Sequence, residues 1–265
     1  MATLVSFHAH PDDESIQVGG TLAKAAAAGH RVVLVFATRG EHGEVADGFL
    51  DDEEHLAQRR EKETLASADV LGVGRVEFLG YHDSGMMGTP ENDLPDAFWQ
   101  ADVDEAAERL ARILTEEAAD VLTVYDSDGG YGHPDHIQVH RVGVRAAQRA
   151  GTPRVYEATM NRDHIRRLME EAVAAGAVPS DEAPDVSQES TFGRPEAVLT
   201  TAVDVRDHLD QKRASMRAHA SQIDEQSFFL AMPEEAFEAA FGTEWFIRHG
   251  EPGGLREWDL FEGLT

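Results

Sequence analysis

Through its first 160 residues the chain alternates short, β-branched apolar segments with longer segments of helical periodicity. This alternation limits the fold more than any other feature. Strands that pair in parallel need a crossover connection, usually a helix, so the pattern predicts a mainly parallel sheet covered by helices on both faces: a Rossmann-like, three-layer α/β fold. Thr3 to His8, Arg31 to Thr38, Arg75 to Leu79, Val121 to Tyr125 and Arg154 to Ala158 read as strands, the second apolar enough to be buried on both faces. Gly19 to Gly29, Asp52 to Leu71, Ala97 to Ala118 and Ile137 to Ala150 read as helices. In the second of these, Leu56, Leu65, Ala68 and Leu71 are expected to face inward. Arg39 to Asp51 and Ser127 to Gly132 read as glycine-rich loops.

Beyond residue 160 the pattern is less regular. Ile165 to Ala175, Asp207 to Ser221 and Pro233 to Phe241 read as helices, and Thr200 to Val205 as a strand. Val178 to Pro195, rich in Pro, Ser, Asp and Glu, reads as a long surface loop. The expected arrangement is a core over residues 1–160 with a smaller C-terminal appendage, 161–265, packed on it within one domain.

Charge narrows the partners. With 23 Lys and Arg against 50 Asp and Glu, the net charge is -27. Such a surface repels nucleic-acid phosphates and anionic lipid, so neither is expected as a partner. It fits solubility, or adaptation to a salty cytoplasm. The chain has no cysteine, so neither disulfides nor thiolate ligands are available. Met1 to His8 lacks the basic start and apolar core of a signal peptide, and no apolar run approaches the roughly 20 residues of a bilayer span. A cytoplasmic location is expected.

Two segments carry chemistry. His10-Pro11-Asp12-Asp13-Glu14 follows the first strand, and Tyr131-Gly132-His133-Pro134-Asp135-His136 follows Val121 to Tyr125. Ligands bind outside the carboxyl ends of the strands in an open parallel sheet, so the two can converge on one point. Either alone reads equally as a helix N-terminus, which Asp caps and Pro opens. Capping, however, does not call for a histidine three residues before Asp13, nor for histidines at both ends of the second segment. An imidazole and adjacent carboxylates at a strand end are costly unless a cation compensates them. Together the segments supply His, Asp and His with a position left for water, the pattern of catalytic zinc. The same donors suit ferrous iron.

Other chemistries lack their signatures. No G-x-S-x-G or P-loop occurs, and His-Pro-Asp-Asp stands where a dinucleotide fold needs G-x-G-x-x-G. Asp126-Ser127-Asp128-Gly129-Gly130 begins like a calcium loop, but Ile137 occupies its twelfth position.

Ala9-His10-Pro11-Asp12-Asp13-Glu14, Arg39-Gly40-Glu41-His42-Gly43-Glu44 and Gly130 to His136 resemble the LmbE-like, or PIG-L, N-acetylglucosaminyl deacetylases. The resemblance covers most of residues 4–160, and Arg217 to Gln222 looks like a later segment of the same family. The wording is closest to the mycothiol branch, which holds a deacetylase and an S-conjugate amidase. The amidase branch often has a lysine after Asp-Asp-Glu-Ser-Ser; Ser15-Ile16-Gln17 stands here instead, which weighs against thiol-conjugate specificity.

The resemblance implies a metal-dependent hydrolase that removes an N-acyl group from a small amino-sugar-type substrate. It implies one zinc ion per chain on His10, Asp13 and His136, with Asp12 as general base. His133 would act as acid or oxyanion stabiliser, oriented by Asp135, and Tyr131 would polarise the carbonyl. Arg60, Asp83 and Met86 match sugar-contacting positions, and Glu44 is placed at the pocket. The C-terminal part would complete that pocket. His219 reads as a cover for the site or as a structural histidine, His8 as a core histidine, and His140, four residues after His136 on the same helix face, as a support for that ligand or as a residue with no part in the site. A non-catalytic metal- or sugar-binding module and an iron oxygenase are the rival classes. Homo-oligomerisation stays open.

Overall fold

The computed structural model describes residues 1–176 and 192–264. Its elements run β1 (Thr3–His8), α1 (Asp13–Ala27), β2 (Arg31–Phe36), α2 (Leu56–Leu71), β3 (Arg75–Phe78), α3 (Val103–Glu116) and β4 (Val121–Tyr125). A kinked single turn, α4 (Gly129–Gly132), precedes α5 (Pro134–Ala150), β5 (Arg154–Thr159) and α6 (Arg162–Ala174). Then come β6 (Thr201–Asp204), α7 (Leu209–Ala218), α8 (Glu234–Phe241) and β7 (Thr243–Arg248). The strands form one sheet in the order β3-β2-β1-β4-β5-β7-β6. Strands β1 to β5 pair in parallel; β7 runs antiparallel to both of its neighbours. The mainly parallel α/β architecture is the one the alternation predicts.

Strand β2 shows how the layers form. Successive side chains point to opposite faces of a strand. Val33 and Val35 join the cluster filled by α3 and α5, while Val32, Leu34 and Phe36 join the one filled by α1 and α2. The chain winds from β1 to β3 on one side, then places β4 and β5 on the other side of β1. The connections leaving β1 and β4 diverge, which opens a crevice at their carboxyl ends.

Several boundaries differ from the sequence reading. Helix α1 begins at Asp13, inside the first His-Pro-Asp segment, and Gly19 and Gly20 lie within it. Gly20 marks a close approach, since a Cβ there would lie 2.5 Å from Cβ of Val205. Helix α5 likewise begins at Pro134, with His133 as its N-cap. Helix α3 is shorter than Ala97 to Ala118: the Asp102 side chain caps it by accepting from the Glu105 N–H at 3.0 Å. Helix α2 begins at Leu56, behind a capping box of His55 and Gln58.

The buried face of α2 is Arg60, Glu63, Thr64, Ser67, Ala68 and Leu71, and Leu65 points outward at 54% exposure. That face is polar because its partners are polar: Glu63 accepts from Ser221 and Ser67 donates to Glu14. Strand β7 escapes the sequence reading altogether. It inserts between β5 and β6, and its buried Glu244 accepts from the N–H groups of Gly20 and Thr21 and from Lys212. Residues 178–191 of the expected surface loop lie outside the described residues. Among the described residues no helix is long and apolar enough to cross a membrane.

Candidate active site

The two His-Pro-Asp segments meet in the crevice between β1 and β4. Their imidazoles face one another, with ring centroids 4.7 Å apart for His10 and His133, 5.1 Å for His133 and His136, and 5.4 Å for His10 and His136. Ligand atoms of the three histidines lie within 4.8 Å of one another. Asp13, in the first turn of α1, stands between two of them. Its Oδ2 is 3.4 Å from His10 Nδ1 and its Oδ1 is 3.3 Å from His136 Nε2.

The histidine tautomers follow from their outer partners. His136 Nδ1–H donates to the Gly129 carbonyl at 3.2 Å, which leaves the lone pair of Nε2 facing Asp13. That buried Nε2 has no hydrogen-bond partner among the described residues. His10 Nε2–H donates to Asp135 Oδ2 at 3.1 Å and lies 3.5 Å from Asp83 Oδ1. Burial alone would lower the His10 pKa, yet Asp83, Asp13 and Asp135 push it well above its ordinary value. An orphaned imidazole nitrogen beside a carboxylate, in a pocket whose acids select positive charge, fits a divalent cation on His10, Asp13 and His136.

Asp12 sits beside this group, half-buried, with φ 99. A non-glycine residue there is strained by about 1–3 kcal/mol, a cost that surrounding structure must offset. Its N–H donates to Glu14 Oε2 at 3.0 Å, and its carboxylate lies 3.2 Å from Arg60 Nη2. Burial pushes the Asp12 carboxyl up to about 6, with Arg60 opposing and Asp13 adding to the rise. A group near that value takes and returns a proton around neutral pH.

His133 is kept neutral. Burial and the neighbouring His10 and His136 lower its pKa to about 3. Its Nδ1 accepts the Asp135 N–H at 3.2 Å, so the ring proton resides on Nε2. Asp135 thus meets His133 through its backbone N–H. The Asp135 carboxylate accepts instead from the Ser84 N–H at 2.9 Å, from the Ser84 hydroxyl and from His10. Tyr131 is 44% exposed, with its ring edge-on to His136 at 5.0 Å. Burial of its hydroxyl and the nearby Asp13 raise its pKa, so it stays a donor. The turn that carries it hangs on Asp126, whose Oδ1 accepts from the N–H groups of Asp128 at 2.9 Å and Gly130 at 3.2 Å.

The expected sugar contacts divide. Arg60 turns inward, donating to the carbonyls of Gly40, at 2.9 Å, and Pro11. A Cβ on Gly40 would lie 2.1 Å from its Nη1, so the loop passes directly over the guanidinium. Asp83 is buried and accepts from the N–H groups of Gly85 and His42 at 2.8 and 3.2 Å; against burial, His10 and these bonds lower its pKa strongly. Met86 is 50% exposed and Glu44 exposed, with the Glu44 carbonyl accepting from Gln222. His8 is the core histidine expected, between Ser6 Oγ at 2.7 Å and the Tyr125 hydroxyl at 3.1 Å; burial lowers its pKa to about 4.

Of its two readings, His219 takes the structural one: it lies buried beneath the site, donating through Nε2 to Glu14 Oε1 at 2.6 Å. Glu14 gains a part the sequence reading does not give it. Glu14 had been only a letter of the motif. No local signal pairs residues so far apart in the chain, although Arg217 to Gln222 resembles a later segment of the same family.

Comparison with known proteins points to one family. Residues 5–147 match the family model described as GlcNAc-PI de-N-acetylase, PIG-L. The 1D-myo-inositol 2-acetamido-2-deoxy-alpha-D-glucopyranoside deacetylase of Acidothermus cellulolyticus is 43% identical, over 99% of this chain and 95% of that relative. The like-named Streptomyces scabiei protein is 41% identical, over 98% and 89%. Among solved structures, N,N'-diacetylchitobiose deacetylase from Pyrococcus horikoshii superposes with a TM-score of 0.58 at 20% identity, over 99% of this chain and 86% of that one, which speaks for the fold.

Proposed function

The chain belongs to the GlcNAc-PI de-N-acetylase (PIG-L) family, and we propose that it hydrolyses the acetamide of an N-acetylglucosaminyl inositol or a close amino-sugar relative. The observation that carries this reading is the meeting of Asp13, the orphaned His136 Nε2 and the neighbouring Asp12 at the β1–β4 crevice. Naming of the full-length relatives for an N-acetylglucosaminyl inositol supports the substrate class.

One zinc ion per chain is assigned to His10, Asp13 and His136. When bound, zinc supplies the Lewis acidity that makes water nucleophilic near neutral pH and polarises the acetamide carbonyl. Asp12 takes the proton from the attacking water as the new C–O bond forms. The neutral His133 donates from Nε2, and Tyr131 from its hydroxyl, to the oxyanion that develops on the carbonyl carbon's other oxygen. Asp12 then returns its proton to the departing amine as the C–N bond breaks, so acetate and a free amino sugar leave. Arg60 braces Asp12 from behind. Asp83, Met86 and Glu44 are assigned to the polyol, and residues 161–265 to closing the pocket.

Assay of the zinc-loaded chain on 1D-myo-inositol 2-acetamido-2-deoxy-α-D-glucopyranoside, N-acetylglucosamine and N,N'-diacetylchitobiose tests this, with free amine as the readout. The inositol glycoside should exceed N-acetylglucosamine in kcat/KM by at least about tenfold, because remote binding energy is expressed in the transition state. Amine from none of the three overturns the activity; a preference for either other sugar overturns the substrate.

A further inference from the structure

The proposed base stands on a backbone conformation that L-residues avoid, and the groups holding it there lie away from the reaction. The N–H of Asp12 donates to Glu14 Oε2 at 3.0 Å. Glu14 is fully buried and fixed in turn. Its Oε1 accepts from His219 Nε2 at 2.6 Å, Ser67 Oγ at 2.6 Å and Ser15 Oγ at 2.9 Å. One carboxylate thus joins the start of α1, the middle of α2 and the residue that ends α7. None of these contacts reaches His10, Asp13 or His136.

We propose that Glu14 and His219 are positioning residues for Asp12: His219 fixes the Glu14 carboxylate, and Glu14 holds the Asp12 N–H and with it the positive φ that aims the Asp12 carboxylate. The proposal rests on Asp12 being the base. Charged hydrogen bonds are short and directional, so a carboxylate held by three donors has little freedom to drift. Without Glu14 in place, Asp12 is free to relax to negative φ, which turns its side chain away from the water it must deprotonate. The C-terminal third then serves catalysis from beneath the site, without touching substrate.

The test uses the full zinc-loaded chain. His219→Ala should lower kcat by about 10- to 100-fold, the scale on which small misplacements act, with KM and zinc content nearly unchanged. His219→Gln, whose amide N–H can donate in the same direction, should recover most of that loss. Ser67→Ala removes one donor at little risk to folding and should cost about threefold in kcat. Because His219 acts through Asp12, Asp12→Asn/His219→Ala should turn over no more slowly than Asp12→Asn, which should itself be slower by about 100-fold or more.

A folded His219→Ala with normal kcat overturns the proposal, as does loss of zinc in that variant or a double variant in which the two losses multiply. Should His219→Ala fail to fold, an unchanged kcat in Ser67→Ala overturns it equally. A near-normal rate in Asp12→Asn instead removes the base assignment itself, so the two failures are told apart.

Discussion

Asp13 and Glu14 are neighbours in sequence, both buried carboxylates facing histidines, and they end in opposite situations. Asp13 looks into the crevice, where His136 Nε2 lies 3.3 Å away with no hydrogen-bond partner of its own among the described residues. Glu14 looks into the protein, where His219, Ser67, Ser15 and the Asp12 N–H occupy both oxygens. Buried polar groups in folded proteins are nearly always satisfied, so an exception at the mouth of a sheet marks a place for something the protein binds. Both oxygens of Glu14 are occupied, although His219 Nδ1 has no partner among the described residues, and this cluster is scaffold. A single residue step along α1 separates a ligand site from the structure that supports it.

The sharpest way to break this contrast is Asp13→Ala. Bound zinc should disappear and amide hydrolysis should fall by at least about 1,000-fold, since several kcal/mol of Lewis-acid stabilisation goes with the ion. Against the parent stripped of zinc, the change should leave unfolding nearly as it was, and metal analysis beside a denaturation curve checks both halves. Full zinc occupancy would falsify the ligand assignment.

Glu14→Ala should do the converse in stability, lowering it by about 3–5 kcal/mol because His219 is left buried without its counter-charge. Here pH sharpens the comparison. Against burial, His219 and Ser67 pull the Glu14 carboxyl from 4.5 down to about 2, so its contribution is present above about 4.5 and is lost as pH falls toward 2. His219 is raised, against burial, by Glu14. Its contribution is full below about 6.5 and declines as pH rises through the folded value. The stability gap between parent and variant should therefore be widest between about pH 4.5 and 6.5. A gap that is flat down to pH 2 contradicts the ion pair.

Tyr131→Phe should have the smallest effect. Its hydroxyl is one of two donors proposed for the oxyanion and sits on an exposed turn, so kcat should drop by about tenfold with zinc retained, less than a fully enclosed donor supplies. A loss as large as that of Asp13→Ala would place Tyr131 within the metal site.

The sequence was most informative where a single element determines the outcome. The five parallel strands were visible as apolar runs, and β2 displays both of its buried faces in its own side chains. The convergence of His10 with His133 and His136 could be foreseen because strand ends in a parallel sheet share one edge. What stayed hidden was set by distant partners. The buried face of α2 is polar because Glu14 and Ser221 meet it, and a search for an apolar stripe put Leu65 inside instead. The helix read as starting at Gly19 starts at Asp13, and Gly20 within it is an accommodation to Val205. The conformation of Asp12 depends on Glu14, and Glu14 on His219, a dependence no periodicity can carry.

Strand β7 has a consequence for how the molecule is made. It lies inside the sheet, yet of the seven described strands it leaves the ribosome after the other six. From the end of β5 at Thr159 to the end of β7 at Arg248, synthesis at about 5–20 residues per second takes roughly 4–18 s. Throughout that interval the outer edge of β5 has neither β7 nor β6 beside it. An unpaired edge is a template for another chain, so the nascent protein passes through a window in which a chaperone or its own C-terminal third must arrive first.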